Sequence, residues 1–301
     1  MVLKPIVVVG SINMDLVTTV ATMPRAGETL IGQSFATHPG GKGANQAVAA
    51  ARLGQQVKMI GMLGDDDFGR ALRDGLEKNG VDHSGVGVCP GGSGVASIIV
   101  DAKGENCIVV VPGSNFEVTP EYLDSQIDTL RSAGVVLAQL EIPLESIVHL
   151  AEICVRQGVL FMLDPAPAQE LPAGLFPLVD WFTPNETEAE FYVNGSKSSP
   201  EVAAKGLLAK GCKGVVLKRG AHGVLISRDG ATHEVRSYQV NAIDTTAAGD
   251  CFNGVFAAGL NGGMSAEAAA DLASKAAAIS VTRRGAQPSM PTMDEVSQLL
   301  S

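Results

Sequence analysis

The residues with the clearest chemical potential lie in the run Asp244-Thr245-Thr246-Ala247-Ala248-Gly249-Asp250-Cys251-Phe252-Asn253-Gly254. Three small residues, Ala247, Ala248 and Gly249, lead into a helix predicted to run through Phe256 to about Leu260. Backbone amides at such a helix start form an anion hole, matched to the charge that builds on a transferring phosphoryl group. Asp250 falls in the first turn beside that hole. A carboxylate there can accept a hydroxyl proton as the oxygen attacks a γ-phosphate. Taken alone, the segment also admits a plainer reading, with Asp250 as an acidic residue placed for the helix dipole.

Four further stretches carry candidate chemistry. Gly10-Ser11-Ile12-Asn13-Met14-Asp15 follows the first apolar run, Ile6–Val9. Ligands of open α/β sheets bind at the carboxyl ends of strands, and an amide beside a carboxylate suits a ligand rich in hydroxyls. A plain strand-exit turn favours the same residues. Pro39-Gly40-Gly41-Lys42-Gly43-Ala44-Asn45-Gln46 runs into a predicted helix, Ala47–Leu53. Its glycines let backbone approach a ligand closely. It is not a P-loop, because Gly43 rather than Ser or Thr follows Lys42. Lys42 and Asn45 are instead candidates to hold hydroxyls or a phosphate, against the alternative of a glycine-rich helix entry.

Thr183-Pro184-Asn185-Glu186-Thr187-Glu188 places oxygen ligands suited to Mg²⁺ after a strand-like segment, although a capping turn for a helix over Glu186–Tyr192 accounts for them too. Lys218-Arg219-Gly220-Ala221-His222-Gly223 offers a tight bend for close approach to a nucleotide, or simply a β-turn. The five histidines show no HExxH spacing, no G-x-S-x-G elbow occurs, and Gly85-Val86-Gly87 lacks a third glycine. Metalloprotease, serine-hydrolase and hydride-transfer readings are therefore poorly supported.

These stretches need a scaffold. Val135–Leu140, Leu160–Leu163 and Gly214–Lys218 read as buried strands, with helical spacing over Leu144–Arg156 and Pro200–Ala209 between them. That alternation predicts a doubly wound α/β fold, a mostly parallel sheet with helices on both faces, beginning with Ile6–Val9. Two segments break the rhythm. Residues 15–38 show β-branched alternation around a Pro/Gly turn, and residues 93–111 read as a hairpin of Val95–Val100 with Asn106–Val111. A single domain over 1–301 with a small discontinuous β-sheet lid is expected.

Composition bounds the partners. The net charge of −10, with basic residues no denser than pairs such as Arg283-Arg284, argues against nucleic acid and anionic membranes. Five scattered cysteines with no CxxC spacing predict reduced thiols rather than disulfides or zinc. With no signal-like segment and no long apolar run, a cytoplasmic protein is expected.

In this order and spacing, GSINMD, GGKGANQAVAAARLG, TPNETEAE, DTTAAGDCFNG and VTRRGAQPSMP resemble the ribokinase-like carbohydrate kinases, from Val7 to about Pro291. The resemblance implies a β lid, often paired into a homodimer, and transfer of the ATP γ-phosphate to the 5-hydroxyl of ribose. It implies that Asn13, Asp15, Gly41, Lys42, Asn45 and Glu141 hold the sugar. Asp250 becomes the base, with Ala247, Ala248 and Gly249 as the anion hole. Asn185 and Glu188 organise Mg²⁺ and its waters, and Lys218, Gly220, Gly223 and Gly249 line the nucleotide site. A K⁺ site built mostly of carbonyls falls on Asp244, Thr246, Ser280, Arg283, Gly285 and Ser289. Ala247 departs from a frequent Gly and Lys218 from a frequent Thr, while Met14 leaves room for deoxyribose or another pentose. Kinases of nucleosides such as adenosine, and a sugar-sensing module without catalysis, are the alternatives.

Overall fold

The computed structural model describes residues 3–193 and 198–298. Its strands are β1 (Ile6–Val9), β2 (Asn13–Thr19), β3 (Ser34–Gly40), β4 (Val57–Gly64), β5 (Val81–Cys89), β6 (Gly94–Val100) and β7 (Asn106–Val111). They continue with β8 (Val135–Ala138), β9 (Leu160–Leu163), β10 (Trp181–Phe182), β11 (Gly214–Lys218), β12 (Val224–Arg228) and β13 (Ala231–Val235). The α-helices are α1 (Lys42–Arg52), α2 (Asp67–Lys78), α3 (Pro120–Ser125), α4 (Ile127–Ser132) and α5 (Leu144–Gln157). After them come α6 (Glu186–Tyr192), α7 (Pro200–Ala209), α8 (Ala248–Asn261), α9 (Ala266–Ser280) and α10 (Met293–Gln298).

Nine strands make one sheet in the order β13-β12-β11-β10-β9-β8-β1-β4-β5. All neighbours are parallel except the edge hairpin β11-β12-β13. That antiparallel edge is an addition to the parallel pattern the sequence suggests. Alternation along β1 shows the double winding: Ile6 and Val8 enter a core with α1, α8 and α9, whereas Val7 and Val9 enter one with α5 and α7. Burial on both faces explains the continuous apolar runs. The strand order reverses at β1, which lies between β4 and β8, so a crevice opens outside the carboxyl ends of β1 and β8.

The remaining strands form a second sheet, β3-β2-β6-β7. The predicted hairpin is present as β6 and β7, and β2 pairs antiparallel with β3. The join between the pairs is parallel, Asn13 to Gly94 through Thr19 to Val100. Asn13 and Asp15 therefore stand on a strand of this second sheet, not in a turn after β1.

Candidate active site

Helix α1 begins at Lys42, earlier than the predicted Ala47, because distant residues cap it. Its amides at Lys42, Gly43 and Ala44 donate to Glu141 Oε2 at 3.3 Å, Ser11 Oγ at 3.4 Å and the Ser11 carbonyl at 2.9 Å. Ser11 Oγ itself donates to Glu141 Oε2 at 2.5 Å. This arrangement needs backbone in near contact. A Cβ on Gly41, whose φ is 86°, would stand 2.7 Å from the Asn13 nitrogen. Hence β1, β2, α1 and the segment after β8 meet at one point. Glu141 lies beyond the end of β8, which stops at Ala138 rather than Leu140.

Polar groups crowd this point. Asn13 is buried, and its Oδ1 accepts from Asn115 Nδ2 at 2.6 Å while the Ile12 amide donates to Asn115 Oδ1 at 2.9 Å. Burial, reinforced by the charges of Glu141 and Asp250 and opposed by Lys42, pushes the Asp15 carboxyl up to about 7. Burial alone would push the Lys42 ammonium down. The carboxylates of Asp250, Glu141, Asp164 and Glu188 outweigh it and hold the group above its ordinary value. Asn45 donates from Nδ2 to Asp250 Oδ2 at 3.0 Å, and its Oδ1 is buried with no donor. A buried acceptor without a donor suits a ligand hydroxyl.

Asp250 sits in the first turn of α8 with 6 % of its surface exposed. Burial foremost raises its carboxyl; Lys42 opposes this, Asp164 adds to it, and hydrogen bonds from Asn45 and Gln46 oppose it. The helix has no side-chain cap. Its N-cap, Ala247, is left-handed at φ 58°, ψ 16°, which turns the chain sharply into the helix. The Ala248 amide donates to the Thr245 carbonyl at 3.2 Å. Among the described residues no acceptor takes the amides of Ala247, Gly249 or Asp250. Of the three small residues expected to offer amides, one is thus engaged inside the turn.

A cavity of about 530 Å³ opens from Asp250 and Lys42 to Gly220, Gly223, Tyr238, Val240, Ala278 and Val281. Its walls also include Asp164, Asn185, Glu188, Lys218 and Gly249. Lys218 Nζ donates to Asp164 Oδ1 at 3.0 Å, with the two side chains 13 % and 4 % exposed. The same ammonium lies 3.5 Å from where a Cβ on Gly249 would stand. A Cβ on Gly223, at φ 79°, would strike the Val235 carbonyl, so the bend after β11 depends on that glycine.

Asn185 and Glu188 form the capping box of α6. Asn185 Oδ1 accepts the Glu188 amide at 2.8 Å, and Glu188 Oε2 accepts the Asn185 amide at 2.7 Å. The capping explanation of these residues is therefore realised. Yet burial, with the charge of Asp164 and against that of Lys218, raises the Glu188 carboxyl. Two carboxylates, Glu188 and Asp164, at the wall of the cavity fit a divalent cation held through water.

Asp244, Thr246, Ser280, Arg283, Gly285 and Ser289 are also brought together in part. Asp244 Oδ1 accepts the Thr246 amide and Oδ2 the Gly285 amide, both at 2.9 Å, and the Asp244 amide donates to the Val281 carbonyl. The Ser280 carbonyl is already used by the Arg283 amide, and the Arg283 guanidinium pairs with Glu295. The carbonyls of Asp244, Thr246, Arg283 and Gly285 have no donor among the described residues and are free to face a cation or water.

Sequence reasoning missed Gln46, Asp164, Asn115 and Ser11. Asp164 carried a usable signal, a lone acid directly after the buried strand Leu160–Leu163. Ser11 and Gln46 lie inside stretches already singled out, but their partners, like those of Asn115, lie far away along the chain.

The model for the "pfkB family carbohydrate kinase" matches residues 3–293. The chain is 42 % identical to a ribokinase of Bacillus subtilis (strain 168) over 303 residues, covering 99 % of this chain and 100 % of that protein. It is 38 % identical to a deoxyribokinase of Salmonella typhi over 302 residues, covering 98 % of each. Its fold is similar to the ribokinase of Arabidopsis thaliana solved with ribose and ATP, at a TM-score of 0.93 and 32 % identity, over 100 % of this chain and 99 % of the other.

Proposed function

This chain belongs to the pfkB family of carbohydrate kinases, and on that premise we propose that it phosphorylates D-ribose at the 5-hydroxyl, using ATP. The observation that carries the reading is the position of Asp250. Its buried carboxylate lies between a hydroxyl-binding cluster and a helix start with unused amides.

In this reading Asn13, Asp15, Lys42, Asn45 and Glu141, with the backbone at Gly41, hold the sugar. The unpaired Asn45 Oδ1 accepts one hydroxyl while Asn45 Nδ2 steadies Asp250. Asp250 takes the proton of the attacking hydroxyl, and its buried surroundings favour the protonated product of that step. The amides of Ala247, Gly249 and Asp250 face the charge on the transferring group. Lys218, Gly220 and Gly223 line the nucleotide end. Mg²⁺, held through water by Glu188 and Asn185, supplies neutralisation of phosphate charge when bound. The carbonyls around Asp244 and Gly285 would hold K⁺, which would steady the loop leading into α8.

The second sheet acts as the lid of a single domain, since β2 contributes both Asn13 and Asp15. Its outer strand β7 exposes Ile108, Val109, Val110 and Val111, which supports pairing of two copies through the lids as a homodimer. Among the described residues no helix is long and apolar enough to cross a membrane, and all five cysteines are free. A cytoplasmic site of action agrees with both facts.

Similarity to the Salmonella typhi deoxyribokinase favours a second reading, 2-deoxyribose as acceptor. A coupled ADP-release assay across ribose, 2-deoxyribose, fructose and adenosine separates them. The proposal expects the largest kcat/KM with ribose. Preference for deoxyribose establishes the second reading, and release of ADP with none of the sugars removes both.

A further inference from the structure

The Gln46 side chain is completely buried, and all of its hydrogen-bonding groups are used. Nε2 donates to Asp164 Oδ2 at 2.9 Å and to Asp250 Oδ1 at 3.1 Å. Oε1 accepts from Gln139 Nε2 at 2.7 Å. The two carboxylates, which can only accept, fix the orientation of the amide. A flipped Gln46 would set its oxygen against two carboxylates and its nitrogen against another NH₂ group, losing three bonds at once. An ordered array results, running from Lys218 through Asp164, Gln46 and Asp250 to Asn45.

From this arrangement we propose that Gln46 is a positioning residue for the phosphoryl transfer, holding Asp250 ionised and aimed while separating it from Asp164. The proposal rests on the assignment of Asp250 as base.

Two carboxylates sharing a buried site would otherwise repel, and one would retain its proton at neutral pH. A protonated Asp250 cannot accept the hydroxyl proton. A neutral amide with two N–H groups solves this, because each carboxylate receives a donor and neither receives a charge. The groups facing Asp250 set the balance. Lys42 on α1 favours ionisation, whereas Asp15 on β2 and Asp164 after β9 oppose it; Asp164 is itself paired with Lys218 after β11. The neighbouring Cys251 thiol is pushed up to about 12 and stays neutral. Gln46 makes none of its bonds toward the hydroxyl-binding cluster, so its loss should act on the base rather than on sugar affinity.

The test is the pH profile of kcat at saturating sugar and ATP, with melting curves and sugar titration to confirm folding. Gln46→Leu removes both donors. Its acid limb is expected to move to higher pH by at least about half a unit, so that the wild-type to variant ratio of kcat grows by up to ~3-fold down the acid limb relative to pH 8.5. Sugar KM is expected to stay within about twofold. Gln46→Glu, of nearly equal size, places a third carboxyl in the array and is expected to move the limb further. It carries the test should the leucine variant fail to fold. Profiles parallel to wild type in whichever variants fold, or a change confined to sugar KM, overturn the proposal. Parallel profiles together with an inactive Asp250→Asn remove the role of Gln46 alone, whereas an active Asp250→Asn removes the base assignment beneath it.

Discussion

Asp15 gives the account its sharpest pH signature. The carboxyl, ordinarily near 3.8, is held at about 7 in the free protein by burial and by the charges of Glu141 and Asp250. A carboxyl raised in the fold contributes stability that is full below about pH 4. That contribution is lost as pH rises through about 7, where the buried group must ionise. Sugar hydroxyls that donate to Asp15 select the ionised form, so ligand binding runs the other way. At pH 6 the protonated form outweighs the ionised one about tenfold, and at pH 8 the ratio is reversed. Apparent sugar Kd should therefore be about tenfold weaker at pH 6 than at pH 8, or about 1.4 kcal/mol. Calorimetric titration of ribose without nucleotide between pH 5.5 and 8.5 reads this directly. Asp250→Asn removes one of the charges that raise Asp15, so in that variant the same dependence should persist but shift to lower pH. Asp15→Asn should flatten the profile and remove the matching pH slope of the melting temperature. A wild-type Kd independent of pH over this range, or a slope that persists in Asp15→Asn, refutes the reasoning.

Three further outcomes follow from local geometry. Ala247→Gly removes a left-handed alanine, a conformation that costs an L-residue roughly 1–2 kcal/mol, and keeps the same amide. Part of that gain is offset by added freedom in the unfolded chain, so melting should rise modestly with kcat within about twofold; a tenfold loss of kcat contradicts the turn's proposed role. Lys218→Met strands the buried Asp164 carboxylate and should cost about 3 kcal/mol in denaturant unfolding, with a raised KM for ATP. Unchanged stability would show that Asp164 finds another partner. Exchange of K⁺ for Na⁺ should lower kcat, because the loop tying Asp244 to Gly285 leads directly into Ala247; equal rates in the two salts remove the cation from the account.

Much of this molecule is legible locally because its strands are buried on both faces and so read as unbroken apolar runs. Ile6–Val9, Leu160–Leu163 and Gly214–Lys218 have the same limits in sequence and structure. The capping box at Asn185 and Glu188 is equally local, since both partners lie within one turn. Helix α1 was harder to read. Its first residues, Lys42-Gly43-Ala44, include a weak helix former, and Ser11 and Glu141 supply the caps from elsewhere in the chain. Gln46 shows the limit most plainly. Nothing near it in sequence announces that it will bridge Asp164 and Asp250, because only the meeting of α1, α8 and the end of β9 creates that contact. Asp250 stands out in the sequence because three small residues, Ala247, Ala248 and Gly249, precede it at a helix start, and the structure does begin a helix there.

The central claim is that Asp250 removes the proton from the attacking hydroxyl. Single-turnover phosphoryl transfer from ATP to ribose, compared between wild type and Asp250→Asn, addresses it most directly. The substitution sets an amide NH₂ against the Asn45 or Gln46 donor, so a melting curve must accompany the rates. Transfer in a folded variant should be slower by at least ~10²-fold with ribose Kd nearly unchanged. A folded Asp250→Asn protein that transfers phosphate at close to the wild-type rate would contradict it.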